Sequence, residues 1–246
     1  MTTQNIRVIF FDLGKTLIYP KQNWQPVLRR SDRALTESLI SSGVDVEPKT
    51  FPYHFIERLN KYYTDREVTL RENTTYKMFA ELLQEQGFND IPDSVIRKAL
   101  NAKYAITQSN WHLEEDAHEM LQSLKDAGFN IALISNAGDD PDVQALLNKH
   151  DLRQYFSTIF TSATTGYRKP HPKIFKDAMQ AMDVSAAESV MVGDTLNADI
   201  KGANALGIYS VWINRRVDKN PKILEEIRPQ AVISTLAELP ALIRTL

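Results

Sequence analysis

The residues best suited to chemistry stand in four short clusters: Asp12-Leu13-Gly14-Lys15-Thr16, Ser135-Asn136, Arg168-Lys169-Pro170, and Gly193-Asp194 with Asp199 five residues further on. Together they offer carboxylates, which suit a hard cation or covalent attack, and a hydroxyl and an ammonium, which suit an anion. Each cluster follows an apolar run. Val8-Ile9-Phe10-Phe11 precedes the first, and Ile131-Ala132-Leu133-Ile134 the second. The weaker Thr158-Ile159-Phe160-Thr161 leads toward the third, and Ser189-Val190-Met191-Val192 runs into the fourth. In doubly wound sheets ligands sit beyond the carboxyl ends of the strands. The four clusters are therefore expected to converge on one rim.

The elements that must position them are legible in outline. Two more apolar runs follow, Tyr209-Ser210-Val211-Trp212-Ile213 and Ala231-Val232-Ile233. Continuous rather than alternating apolar strands imply burial on both faces, hence a parallel sheet between helix layers. Helical patterns fill the gaps. One spans Glu115 to Ala127 and stops at Gly128; another spans Ala198 to Leu206 and stops at Gly207, both glycines standing where a left-handed cap would fall. Pro172 can open the helix that carries Ile174, Phe175 and Met179. Repeated strand–helix–strand units predict an α/β fold: a doubly wound, Rossmann-like parallel sheet with right-handed crossovers.

The stretch 19–111 breaks this rhythm, because no strand pattern interrupts it. Helical patterns run through 26–42, 48–63, 74–87 and 92–108, broken near Gly43, Pro48, Gly87 and Pro92. The expected organisation is an α-helical module of 19–111 inserted into a core built from 1–18 and 112–246. Hinges are expected at Leu17–Pro20 and Gln108–Leu113, which would let the module open and close.

Composition narrows the function classes. Of 246 residues, 43% are apolar and 24% charged, the balance of an ordinary globular chain. A net charge of −2 gives no electrostatic reason to bind nucleic acid or an anionic membrane. With no cysteine, disulfides, thiol nucleophiles and cysteine-ligated zinc are excluded. Met1 to Arg7 is polar and contains no secretory apolar segment, so the cytoplasm is the default compartment. The histidines at 54, 112, 118, 150 and 171 show no metal-ligand spacing, and His171 reads as a first-turn loop residue. Gly14-Lys15-Thr16 mimics the end of a nucleotide-binding phosphate loop, but the glycine that motif needs would fall at Ile9, inside a strand. Oligomeric state is left open.

Taken in order, these residues resemble the haloacid dehalogenase superfamily over nearly the whole chain. Asp12 with Thr16, Ser135, Lys169 in Arg-Lys-Pro-His-Pro-Lys-Ile-Phe, and Gly-Asp-Thr-Leu-Asn-Ala-Asp-Ile-Lys-Gly-Ala from 193 carry the likeness. Each piece alone reads as cap or turn chemistry; the ordered set at successive strand ends does not. The resemblance implies a magnesium-dependent hydrolase acting on a small phosphorylated substrate, with the insertion as its helical cap. It implies Asp12 as nucleophile, forming an aspartyl-phosphate. Asp12, the Gly14 carbonyl and Asp194 would ligate Mg2+, with Asp199 supporting the metal waters or orienting Lys169. Thr16, Ser135, Asn136 and Lys169 would hold the phosphoryl oxygens, where charge spreads in the transition state.

One position departs from the family. Its phosphatases usually carry a second aspartate two residues after the nucleophile, to protonate the leaving group; Gly14 stands there and has no side chain to do so. Two alternatives follow: a 2-haloacid dehalogenase-like enzyme, whose halide leaves without a proton, and a non-catalytic phosphate-ligand binder. Against the first, Asp194 crowded beside Asp12 without a cation would be costly. The insertion should decide the substrate. It is rich in aromatics, most of them expected in its core, and Arg29, Arg58 and Arg66 are its candidates for facing the site.

Overall fold

The computed structural model describes residues 5–216 and 226–246, so the opening residues 1–4 of the polar N-terminal reading lie outside it. The chain starts with β1 (Val8–Phe11) and crosses through β2 (Ile18–Pro20) into α1 (Trp24–Ser41), α2 (Phe51–Thr69), α3 (Thr75–Glu85) and α4 (Asp93–Gln108). It returns through β3 (Trp111–Leu113) and then alternates: α5 (Ala117–Asp126), β4 (Asn130–Ser135), α6 (Asp140–Lys149), β5 (Thr158–Thr161), α7 (Ser162–Thr165), α8 (Pro172–Ala181) and β6 (Ser189–Gly193). After a π-helical turn, Leu196–Ile200, come α9 (Lys201–Asn204), β7 (Tyr209–Ile213), β8 (Ala231–Ile233) and a short helix, Leu239–Ile243.

Six strands form one parallel sheet in the order β5-β4-β1-β6-β7-β8. Its central strands are buried on both faces, which is why their sequences are continuously apolar. Phe11, Leu133 and Val192 face one helix layer with Met120, Leu121 and Leu147. Phe10, Ala132 and Met191 face the other with Ile174, Phe175 and Ala203. The chain moves from β1 outward through β4 and β5, then crosses to β6 and outward the other way. The order therefore reverses at β1, the place where a ligand crevice opens in such sheets. Register completes the arrangement: Phe11 pairs with Leu133 on one side and Val192 on the other, so Asp12 emerges at the centre of the rim.

Two expected helices differ from their sequence patterns. The one expected at 48–63 runs on to Thr69 and stops where Leu70 takes a left-handed conformation, φ 53°. The one expected at 198–206 begins as the π-helical turn. There Asp199 reaches back to accept the backbone N–H of Thr195 (2.9 Å), and the wider turn accommodates that closure.

The inserted helices have a hydrophobic core of their own, with Leu35, Leu39, Phe51, Phe55, Phe79 and Leu100 all buried. The two crossing segments, expected as hinges, are joined: Ile18 pairs with Leu113, Tyr19 with His112 and Pro20 with Trp111. Strands of three residues are too short to carry a periodicity, so the sequence did not reveal this ribbon. Among the described residues no helix is long and apolar enough to cross a membrane.

Candidate functional site

Asp12 is held at the centre of the rim by its own backbone, whose N–H donates to Val192 O (2.9 Å). Its carboxylate is buried; Oδ1 accepts from Lys169 Nζ at 2.7 Å, and Oδ2 faces Thr16 Oγ1 at 3.4 Å. Ser135 closes β4 beside it. Asn136 clamps the backbone of Lys169 at two points: its Oδ1 accepts the Lys169 N–H (2.8 Å), and its Nδ2 donates to the Lys169 carbonyl (3.0 Å). That clamp delivers the lysine ammonium, itself 3% exposed, to Asp12 and to the Ile134 carbonyl (2.6 Å).

Asp194 follows β6. Its carbonyl accepts from Trp212 Nε1 (2.8 Å) and its Oδ1 from Thr195 Oγ1 (3.1 Å). Gly193 before it must be glycine, because a Cβ there would run into the Asp199 carboxylate. Lys169 Nζ stands 2.7 Å from Asp199 Oδ1 but off the angle of a hydrogen bond, which leaves that buried oxygen without a donor among the described residues.

The site is therefore short of positive charge. Carboxylate oxygens of Asp12, Asp194 and Asp199 lie within 4.8 Å of one another, with one ammonium among them. Burial, followed by the charges of Asp12 and Asp199, pushes the Asp194 carboxyl up to about 7. Burial likewise pushes Asp199 up to about 6, against the pull of Lys169. Burial alone would lower Lys169, but Asp12 and Asp199 outweigh it and hold its pKa above the ordinary lysine value. An all-oxygen donor set, like-charged and with one oxygen unsatisfied, fits a hard divalent cation.

Thr16, expected against the substrate, is fully buried beneath Asp12 and lies off the cavity lining, so it meets the site only through that carboxylate. Asp12, Gly14, Ser135, Asn136, Lys169, Asp194 and Asp199 all line one cavity of about 540 Å³. At Gly14 the missing side chain is not simply open space: a Cβ there would stand 3.2 Å from the ring of Trp111. That indole packs edge-on against Trp24, centroids 5.1 Å apart. His171 lies outside the acidic cluster, where its ring accepts the N–H of Lys173 (3.1 Å) at the start of α8.

The inserted helices close the cavity from above with Arg66, Leu70, Thr75 and Tyr104. They are seated on the core by a latch that sequence reasoning missed. The buried Glu72 carboxylate accepts from Tyr62, Ser162 and Arg168. Around it Leu70 O accepts the Arg168 N–H (2.9 Å), and Thr75 donates its N–H to Gly138 O (2.8 Å). Across the cavity Arg97 pairs with Asp139 (2.7 Å), and Gln108 donates to Asp142 (2.7 Å). Burial, with Asp139 close by, pushes Asp142 up to about 6.

A doubly wound parallel sheet with an acidic rim beneath inserted helices defines the class of fold. The chain belongs to the haloacid dehalogenase-like hydrolases, whose family model matches residues 6–207. It is 29% identical over 248 residues to a glyceraldehyde 3-phosphate phosphatase of Pyrococcus furiosus, an alignment that covers 99% of this chain and 94% of that protein. It is 28% identical over 240 residues to a ribulose-1,5-bisphosphate 5-phosphatase of Halopiger xanaduensis, covering 96% and 98%. Among solved structures, a 2-haloacid dehalogenase from Pseudomonas syringae shares the fold at a TM-score of 0.70 and 20% identity, covering 97% of this chain and 98% of that one.

Proposed function

We propose that this protein is a magnesium-dependent phosphatase of a small phosphorylated metabolite, with Asp12 as its nucleophile. The observation that carries the reading is the cluster of Asp12, Asp194 and Asp199, three buried carboxylates within 4.8 Å beside one lysine. Full-length relatives named as sugar-phosphate phosphatases support the same reading. We take 1–18 and 112–246 as the core domain and 19–111 as its cap.

In this mechanism Asp12, Asp194 and the Gly14 carbonyl would hold Mg2+, which neutralises phosphoryl charge so that a carboxylate can approach. A carboxylate oxygen of Asp12 attacks phosphorus, the bond to the leaving oxygen breaks, and an aspartyl-phosphate forms. Ser135, the Asn136 N–H and Lys169 hold the remaining phosphoryl oxygens as their charge grows. Thr16 orients Asp12 from below, and Asp199 orients Lys169. Water then attacks the phosphorus of the aspartyl-phosphate, releasing phosphate and restoring Asp12.

The test is a panel of phosphate monoesters and chloroacetate, assayed with magnesium and with chelator. Wild type should release phosphate only with magnesium. Asp12→Asn should lose at least about a thousandfold in turnover while remaining folded. Chelator-insensitive halide release would establish the dehalogenase reading instead. Magnesium and phosphate-ester binding without turnover of any ester would establish the binder.

A further inference from the structure

The three arginines singled out as candidates, Arg29, Arg58 and Arg66, part company in the structure. Arg29 is exposed on α1. Arg58 is spent on Glu81 (3.2 Å) and Glu85. Arg66 lines the catalytic cavity. Its Nε is buried and has no hydrogen-bond partner among the described residues. The nearest carboxylate, Glu67, stands 3.7 Å away, beyond hydrogen-bond reach, with its side chain 77% exposed. By contrast the other guanidinium of the lining, Arg168, is taken by Glu72, and Lys169 by Asp12 and Asp199.

Arg66 is also held in place. Its guanidinium lies over the Tyr63 ring at 4.2 Å and within 5.4 Å of the Tyr62 ring. Tyr62 donates to Glu72, so the aromatic ledge is part of the latch. The Arg66 carbonyl accepts the N–H of Leu70, and Leu70 O accepts the N–H of Arg168, one residue before Lys169. A short rigid path of backbone thus fixes this guanidinium relative to the ammonium at the nucleophile. Its Nε is buried without a partner although the side chain as a whole is 24% exposed, so the rest of the guanidinium is open to the cavity, and its planar fork matches a carboxylate or phosphate.

Accepting the phosphatase reading above, we propose that Arg66 is the specificity-determining residue of the cap, binding an anionic group at the end of the substrate remote from the scissile phosphate. That selects phosphate esters whose remote end carries a second anionic group over otherwise similar esters whose remote end is neutral.

The test is equilibrium binding by calorimetry, with magnesium, on the Asp12→Asn protein, where turnover does not interfere. The probes are 3-phosphoglycerate and glycerol 3-phosphate, which share a three-carbon skeleton and differ by a carboxylate. Propane-1,3-diyl bisphosphate is the third probe, with a second phosphate in its place. The two probes with a second anionic group should bind about ten- to a hundredfold more tightly than glycerol 3-phosphate, the range of a charged bidentate pair. Adding Arg66→Ala should erase that preference and leave glycerol 3-phosphate within about twofold, and Arg66→Lys should restore part of it. Whichever anionic probe loses more affinity identifies the preferred group. Equal binding of all three probes before the substitution overturns the proposal. So does an equal loss for all three after it, because Arg66 would then contact the scissile phosphate or only hold the fold. Wild type that binds these esters with the predicted preference yet hydrolyses none sinks the phosphatase reading and leaves the role of Arg66 standing.

Discussion

In the inserted helical module, Lys103 is buried against Asp32 with Ser31 as a further partner, Arg58 sits between Glu81 and Glu85, and Glu72 accepts from three donors. On the core rim Lys169 pairs with Asp12 and Asp199, and Asp194 has no ion pair among the described residues. The same residue types serve two ends. Charges matched within the protein hold the inserted helices together and seat them on the sheet. Charges left in excess on a rigid rim destabilise the protein alone and are available to something that binds. The contrast locates function more sharply than burial does, since the side chains of Lys103, Asp32 and Glu72 are as buried as the acidic rim.

The largest expected effect falls on the matched side. Glu72→Ala leaves Arg168 buried without its carboxylate and should cost about 3–5 kcal/mol in chemical denaturation. Should it cost less than about 1 kcal/mol, the latch is not structural and the contrast fails. On the unmatched side the sign reverses. The raised pKa of Asp194 means the folded state binds more protons than the unfolded chain between about pH 4 and pH 7, so stability falls as pH rises through that window. With chelator present, Asp194→Asn should therefore gain on the order of 1–3 kcal/mol at pH 8 and almost nothing near pH 4. Magnesium should then raise the thermal midpoint of wild type and not of the variant. A destabilised variant at pH 8 would mean that Asp194 is matched after all. Asp142 lies between the two regimes, hydrogen-bonded to Gln108 yet raised to about 6. Asp142→Asn keeps the acceptor and removes the charge, so it should gain about 1–2 kcal/mol at pH 7, fading toward pH 4; thermal melts at both pH values read this.

The rim was legible because its chemistry repeats a rule, one polar residue directly beyond each apolar strand. Asp12, Ser135 and Asp194 all follow it, and strand ends are set by local sequence. What escaped depended on pairs far apart in the chain. Glu72 meets Ser162 and Arg168 across about ninety residues, and no local pattern marks it. Trp111 reaches Gly14 in the same way. Arg66 was partly within reach. Phe51, Phe55 and Leu59 are buried along one stripe of α2, and Tyr62 and Arg66 continue that stripe at helical spacing. A cation on an apolar face points inward, but Arg58, seven residues after Phe51 and four before Tyr62, borders the same stripe, so spacing alone did not separate the two arginines.

The indole beside Gly14 has a consequence for which bonds the enzyme can break. Where an acid would lend its proton to the departing oxygen, the space beyond Gly14 is met by a hydrocarbon ring. On the proposed mechanism the departing oxygen must carry its own negative charge, so the logarithm of the rate should climb steeply as the departing alcohol becomes more acidic. Aryl and acyl phosphates pass this filter more easily than alkyl phosphates, whatever their shape. Two independent selections then operate on one substrate: the roof sorts by form and charge, and the floor sorts by the strength of the bond itself. Introducing Asp at 14 would not lift the second selection alone, because the ring of Trp111, 3.2 Å from the new Cβ, must also shift by a few tenths of an ångström.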